Sequence, residues 1–111
     1  MGYRSCFSGY VALRKGVEFG QEEEQEVTTE DFYIEDEENG TYYISGEEWK
    51  MYYAYPNFEV LAKYFETVDY IEVEGENHMD IWRIQLKDGK IYTSRMKKPL
   101  FEEYVETEEK F

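Results

Sequence analysis

Two dipeptides, Asn39-Gly40 and Asp88-Gly89, restrict the fold of this chain more than any other feature of its sequence. Both sit between runs of alternating apolar and polar residues, and a two-residue type I′ turn needs positive φ at both central positions, which Asn, Asp and Gly tolerate best. Each therefore predicts a β-hairpin. The first joins Asp31 to Glu38 with Thr41 to Gly46. In the register of a two-residue loop it sets Tyr43 opposite Asp36 and Ile44 opposite Glu35, with an acidic turn end and with Phe32 and Ile34 reaching the core. The second joins Asp80–Leu86 to about Lys90–Met96 and pairs Leu86 with Ile91, Ile84 with Thr93 and Trp82 with Arg95.

Further alternation marks strands at Phe7–Leu13 and Asp69–Glu76, and Trp49, Met51 and Tyr53 extend the first hairpin as far as Tyr55-Pro56. Phe58, Leu61, Ala62 and Phe65 then fall at i, i+3, i+4 and i+7, predicting a helix near 57–67 opened by Pro56 and Glu59. At the end of the chain, Leu100, Phe101, Tyr104 and Val105 share one helical face, so the tail is read either as a short C-terminal helix or as frayed. The acidic stretch within Glu18 to Glu30 reads as a solvated loop or excursion. The expected fold is α+β: a mostly antiparallel sheet of about five or six strands with one central helix covering a face. Residues 1–111 suffice for one core, and no linker or repeat divides them, so a single domain is expected.

Aromatic residues make up 19% of the chain, with Tyr contributing 12, which separates it from disordered acidic chains that lack surface to bury. Its formal net charge of -14 is segregated. Residues 18–80 hold 20 acids against Lys50 and Lys63, whereas residues 81–98 hold six bases against Asp88. So negative a surface repels nucleic acid and anionic membranes and favours basic partners. No run of about 18 apolar residues and no signal-like leader is present, and Cys6 is the only cysteine, so a cytoplasmic protein without internal disulfides is expected.

Motifs for chemistry are sparse. Cys6 and His78, the only cysteine and histidine, lie far apart in sequence, and Cys6 reads as a small packing residue. Ser8-Gly9 lacks the flanking glycines of a nucleophile elbow, and no phosphate-binding glycine loop occurs. Glu76, His78 and Asp80 would present two oxygens and a nitrogen on one side of an extended segment, yet Gly75-Glu76-Asn77 looks like a turn and acids abound throughout. A calcium loop starting at Glu35 fails because Gly46 stands at its twelfth position. The expectation is a non-enzymatic protein with no cofactor and no metal site.

Binding chemistry is better represented. Carboxylates two residues apart on a strand lie roughly 6.6 Å from each other, close to the step of phosphates along a nucleic-acid strand. Glu72, Glu74 and Glu76 form one such row, Glu35 and Glu37 a second, and Asp36 with Glu38 a third on the opposite face. Tyr33, Tyr42, Tyr52 and Tyr70 are interleaved with these rows, and Tyr42 and Tyr70 join the carboxylates as candidate contact residues.

Met1-Gly2-Tyr3-Arg4-Ser5, Trp49-Lys50-Met51-Tyr52, Tyr55-Pro56 and Leu61 together resemble a group of small phage and prophage accessory proteins. Proteins similar to these usually place a helix soon after the first strand, where this chain has the segment Glu18 to Glu30. The resemblance implies a phage-encoded acidic inhibitor, of the anti-CRISPR or anti-restriction type, that mimics nucleic acid on the basic surface of a host defence nuclease. The alternative is a phage assembly protein that forms homodimers or larger species, its basic strands near 83–98 meeting the acidic hairpin of another copy.

Overall fold

In a computed structural model, residues 4–27, 32–49, 55–75, 81–97 and 100–107 are described. Among them, eight strands form one sheet: β1 (Arg4–Leu13), β2 (Phe32–Glu38), β3 (Thr41–Trp49), β4 (Phe65–Gly75), β5 (Ile81–Lys87), β6 (Lys90–Lys97), β7 (Leu100–Phe101) and β8 (Val105–Thr107). The spatial order is β2-β3-β1-β4-β5-β6, with β7 and β8 both on the far edge of β6, and every strand pairing among the described residues is antiparallel. Two helices, α1 (Gln21–Val27) and α2 (Tyr55–Tyr64), complete the α+β fold.

Both hairpin turns have the expected backbone: Asn39 and Gly40 at φ 54° and 78°, Asp88 and Gly89 at 54° and 76°. The β5–β6 register agrees pair for pair with the one the sequence predicts. In β2–β3 it does not. Glu38 lies opposite Thr41, as a two-residue loop requires, but a bulge between Asp36 and Glu38 then sets Asp36 opposite Tyr42, Glu35 opposite Tyr43 and Ile34 opposite Ile44. Without the bulge, Phe32 and Ile34 would share a face with Ser45; the extra residue turns them to the side of Ile44, which is fully buried. Burial of apolar side chains thus overrides the register set by the turn.

α2 lies across the inner face of the sheet, burying Tyr55, Phe58, Leu61 and Ala62 against Phe7, Phe32, Ile44, Ile71, Val73, Trp82 and Ile84. The rings of Phe7, Phe32 and Phe58 pack mutually at centroid distances of 5.1 to 5.4 Å. The helix is shorter than predicted. Phe65 is buried as the helical spacing implied, but it is the first residue of β4, where Thr67 and Val68 are β-branched and favour a strand. Arg14 closes the helix, its backbone N–H donating to the Tyr64 carbonyl at 2.8 Å and its Nη1 to the Lys63 carbonyl at 3.3 Å.

Two further expectations are corrected. The acidic stretch after β1 contains α1 instead of an irregular loop. The Glu23 carboxylate accepts the Gly20 N–H at 3.1 Å, the Glu24 N–H donates to the Gly20 carbonyl at 2.9 Å, and Glu22, Glu23 and Glu24 sit at the positive end of the helix dipole. Phe19, just ahead of α1, packs on Tyr42, Tyr64 and Phe65 at 4.7 to 5.6 Å. The tail is not helical either. Leu100–Phe101 and Val105–Thr107 pair with β6, because its outer edge has backbone groups to satisfy, and these two short strands account for the count above six. Met51 and Tyr53, read as continuing β3, lie outside the described residues, as does Asp31.

Candidate interaction surface

Alternation along each strand gives the sheet a second, outer face opposite α2. The register carries three rows of side chains across it: Glu47, Cys6 and Glu74; Tyr33, Ser45, Ser8, Glu72 and Arg83; and Glu35, Tyr43 and Tyr10. Neighbouring strands are about 4.8 Å apart, so Glu47 and Glu74, with β1 between them, stand about 10 Å from each other, while Glu72 and Glu74 follow one another along β4 at roughly 6.6 Å. Between these acids the floor is made of small side chains. Cys6, Ser8, Ser45 and Gly46 leave a shallow cleft of about 460 Å³ walled by Tyr33, Glu47, Glu72 and Glu74. The Cys6 thiol, exposed rather than packed in the core, approaches the Glu47 carboxylate at 3.7 Å.

Tyr33 and Tyr10 are the large side chains most open to solvent on this half, at 55% and 49% exposure, and Tyr10 stacks obliquely on Tyr43 with centroids 5.0 Å apart. Gly9, on β1 beside Tyr10, lets the irregular stretch of β4 approach: a β-carbon there would stand 2.7 Å from the Tyr70 carbonyl oxygen and 2.8 Å from the Ile71 Cα. Where β4 departs from the β5 ladder, side chains take over its hydrogen bonds. Gln85 donates to the Asp69 carbonyl, the Leu86 N–H to the Thr67 hydroxyl and the Asp88 N–H to the Glu66 carboxylate.

The other half of the outer face is closed by the chain itself. The Arg83 guanidinium lies between two rings, 4.0 Å from the Tyr70 centroid and 3.8 Å from that of Phe101. Burial raises the Tyr104 hydroxyl above its ordinary pKa, opposed by Arg83 and reinforced by Asp69 and Tyr70, which places Tyr104 in the same neighbourhood. The Glu102 backbone N–H donates to the Arg95 carbonyl at 2.8 Å, and the Glu102 carbonyl accepts from the buried Ser94 hydroxyl.

The candidate contact residues separate accordingly. Glu35, Glu72 and Glu74 share the outer face, and Glu38 joins them through its pairing with Thr41. The bulge breaks the predicted pairing of Glu35 with Glu37 and of Asp36 with Glu38. Glu37 is the extra, exposed residue, while Asp36 lies opposite Tyr42 on the inner side. Tyr42 packs against Phe19 and Phe65 at the margin of the core, and burial, with Asp36 and Glu24 nearby, raises its pKa. Tyr70 holds the Arg83 cation. Glu76 lies outside the described residues, as do His78 and Asp80, and with them the triad that would have held a metal. Sequence reasoning passed over Glu47 and Tyr10, whose parity relative to Ile44 and Val11 puts both outward.

Among the described residues, no group of three or more His, Cys, Asp or Glu side chains is arranged to hold a metal ion, and no helix is long and apolar enough to cross a membrane. Comparison with protein-family models, curated proteins and solved structures found no match.

Proposed function

We propose that this chain is a non-enzymatic binding protein that docks its acidic outer sheet face onto the basic, nucleic-acid-binding surface of another protein and so excludes the nucleic acid. The observation that carries this reading is the placement of Glu35, Glu38, Glu47, Glu72 and Glu74 with Tyr10 and Tyr33 on one sheet face that, among the described residues, no helix covers. Carboxylates spaced along strands present negative charge at steps comparable to a phosphate backbone, and tyrosines between them supply contact area at little conformational cost. The resemblance of residues 1–5 and 49–56 to phage accessory proteins suggests the setting, an inhibitor of a host defence nuclease acting in the host cytoplasm.

Self-association through segregated charge is the weaker reading, because much of the basic segment is engaged within the chain. Arg83 is held between Tyr70 and Phe101, Arg95 lies over Trp82 at 4.0 Å, and Lys90 pairs with Glu106 at 3.4 Å.

The test is displacement of labelled duplex DNA from CRISPR and restriction nucleases. A nuclease that yields its DNA to this protein should do so less well as salt rises, because steering between unlike charges is screened over about 10 Å at 0.1 M ionic strength. Glu35→Gln, Glu72→Gln and Glu74→Gln together should weaken the inhibition on the order of tenfold. Salt-independent inhibition, or full inhibition by the triple variant, would refute the reading.

A further inference from the structure

We propose that the open half of the outer face is a receptor for arginine, taking guanidinium groups from an extended basic segment of a partner protein on the rings of Tyr10 and Tyr33 beside Glu35, Glu72 and Glu74. This rests on the proposed docking of the acidic face and names the side chain that the face selects. The closed half of the same face supplies the precedent. There Arg83, the cross-strand neighbour of Glu72, places its guanidinium carbon 4.0 Å from the Tyr70 centroid and 3.8 Å from that of Phe101. The ingredients are two aromatic rings and a carboxylate-bearing strand, with a planar cation between them.

Across β4 the ingredients recur. Tyr33 and Tyr10 are about half exposed; Tyr33 walls the cleft with Glu72 and Glu74 over a floor of Ser8 and Ser45, and Tyr10 follows Ser8 along β1 on the same face. The carboxylates set the sign of the occupant. The rings and the small floor set its shape: a planar guanidinium stacks on a tyrosine and still directs its N–H groups to a carboxylate, whereas a compact ammonium does one or the other. Nucleic acid and anionic lipid are refused by the same charge.

The experiment compares fluorescent oligo-arginine and oligo-lysine peptides of equal length by anisotropy at one salt concentration, with the intact protein. The expected result is about fivefold tighter binding of the arginine peptide, in line with a stacked cation at an exposed aromatic site. Tyr10→Leu with Tyr33→Leu should bring the ratio close to one, Tyr10→Phe with Tyr33→Phe should preserve it, and Glu72→Gln with Glu74→Gln should weaken both peptides while leaving a preference. Equal affinity of the two peptides for the unaltered protein, or a ratio unmoved by the leucine pair, overturns the arginine receptor and leaves acidic-face docking standing. Failure of both peptides to bind overturns the docking as well.

Discussion

At Gly9 the requirement is for the absence of a side chain. Its backbone is ordinary, but a β-carbon would meet the Tyr70 carbonyl and the Ile71 Cα at under 3 Å, and both obstacles are backbone atoms that cannot swing aside. Gly9→Ala should therefore destabilise the fold by about 1–3 kcal/mol through overpacking, although alanine is otherwise the smaller entropic burden. A fall in the urea midpoint at unchanged slope would report it, and an unaltered midpoint would show that β4 yields freely at this point. Because the same stretch of β4 carries Tyr70, the substitution reaches the Arg83 stack as well as the core.

Among the elements, the β2–β3 hairpin concentrates the competition between local and tertiary preferences. Deleting Glu37 should remove the bulge and leave an uninterrupted ladder from Asn39-Gly40 in which Asp36 still faces Tyr42 and Ile34 still faces Ile44, so Phe32 and Ile34 stay in the core. Exposing buried Phe32 alone would forfeit about 1.5–3 kcal/mol, so a deletion that keeps it buried should cost less than this, and a loss of that size or more in thermal or urea unfolding would show that the register had slipped. The hairpins themselves were legible because their turns require positive φ and their strands alternate. The bulge was not, since it follows from matching Phe32 and Ile34 to Ile44 on the neighbouring strand, a condition beyond either strand's own period. α1 was missed for a different reason: its cap is Gly20 with Glu23, half of a capping box without the Ser or Thr that announces one. β7 and β8, at two and three residues, are too short to show any period. For the candidate face, Glu72 and Glu74 were visible as the outward neighbours of Ile71 and Val73. Their assembly with Glu35 and Glu47 depends on β1 lying between β3 and β4, which no local pattern reveals.

For the molecule as a whole, a net charge of -14 within a Cα radius of gyration of 13.5 Å opposes the folded state by self-repulsion. Added salt should therefore raise the melting temperature, by roughly 4–8 °C for each kcal/mol recovered, up to ionic strengths of about 0.5 M. A flat or falling melting temperature over that range, read by circular dichroism, would mean that the pairings of Lys90 with Glu106 and of the arginines with their rings outweigh the repulsion. Salt thus acts in opposite directions on stability and on the proposed docking, and the two curves together separate a face that repels itself from one that attracts a partner. The position of β1 also governs how the chain reaches this state. A strand at residues 4–13 that hydrogen-bonds on one side to residues 41–49 and on the other to residues 65–75 cannot complete its pairing until residue 75 has been synthesised. Its sequence-distant ladders must close long loops before they return any stabilisation, which puts folding in the slower, millisecond-to-second range of sheet-rich domains and leaves the apolar side of β1 dependent on α2 arriving in time to cover it.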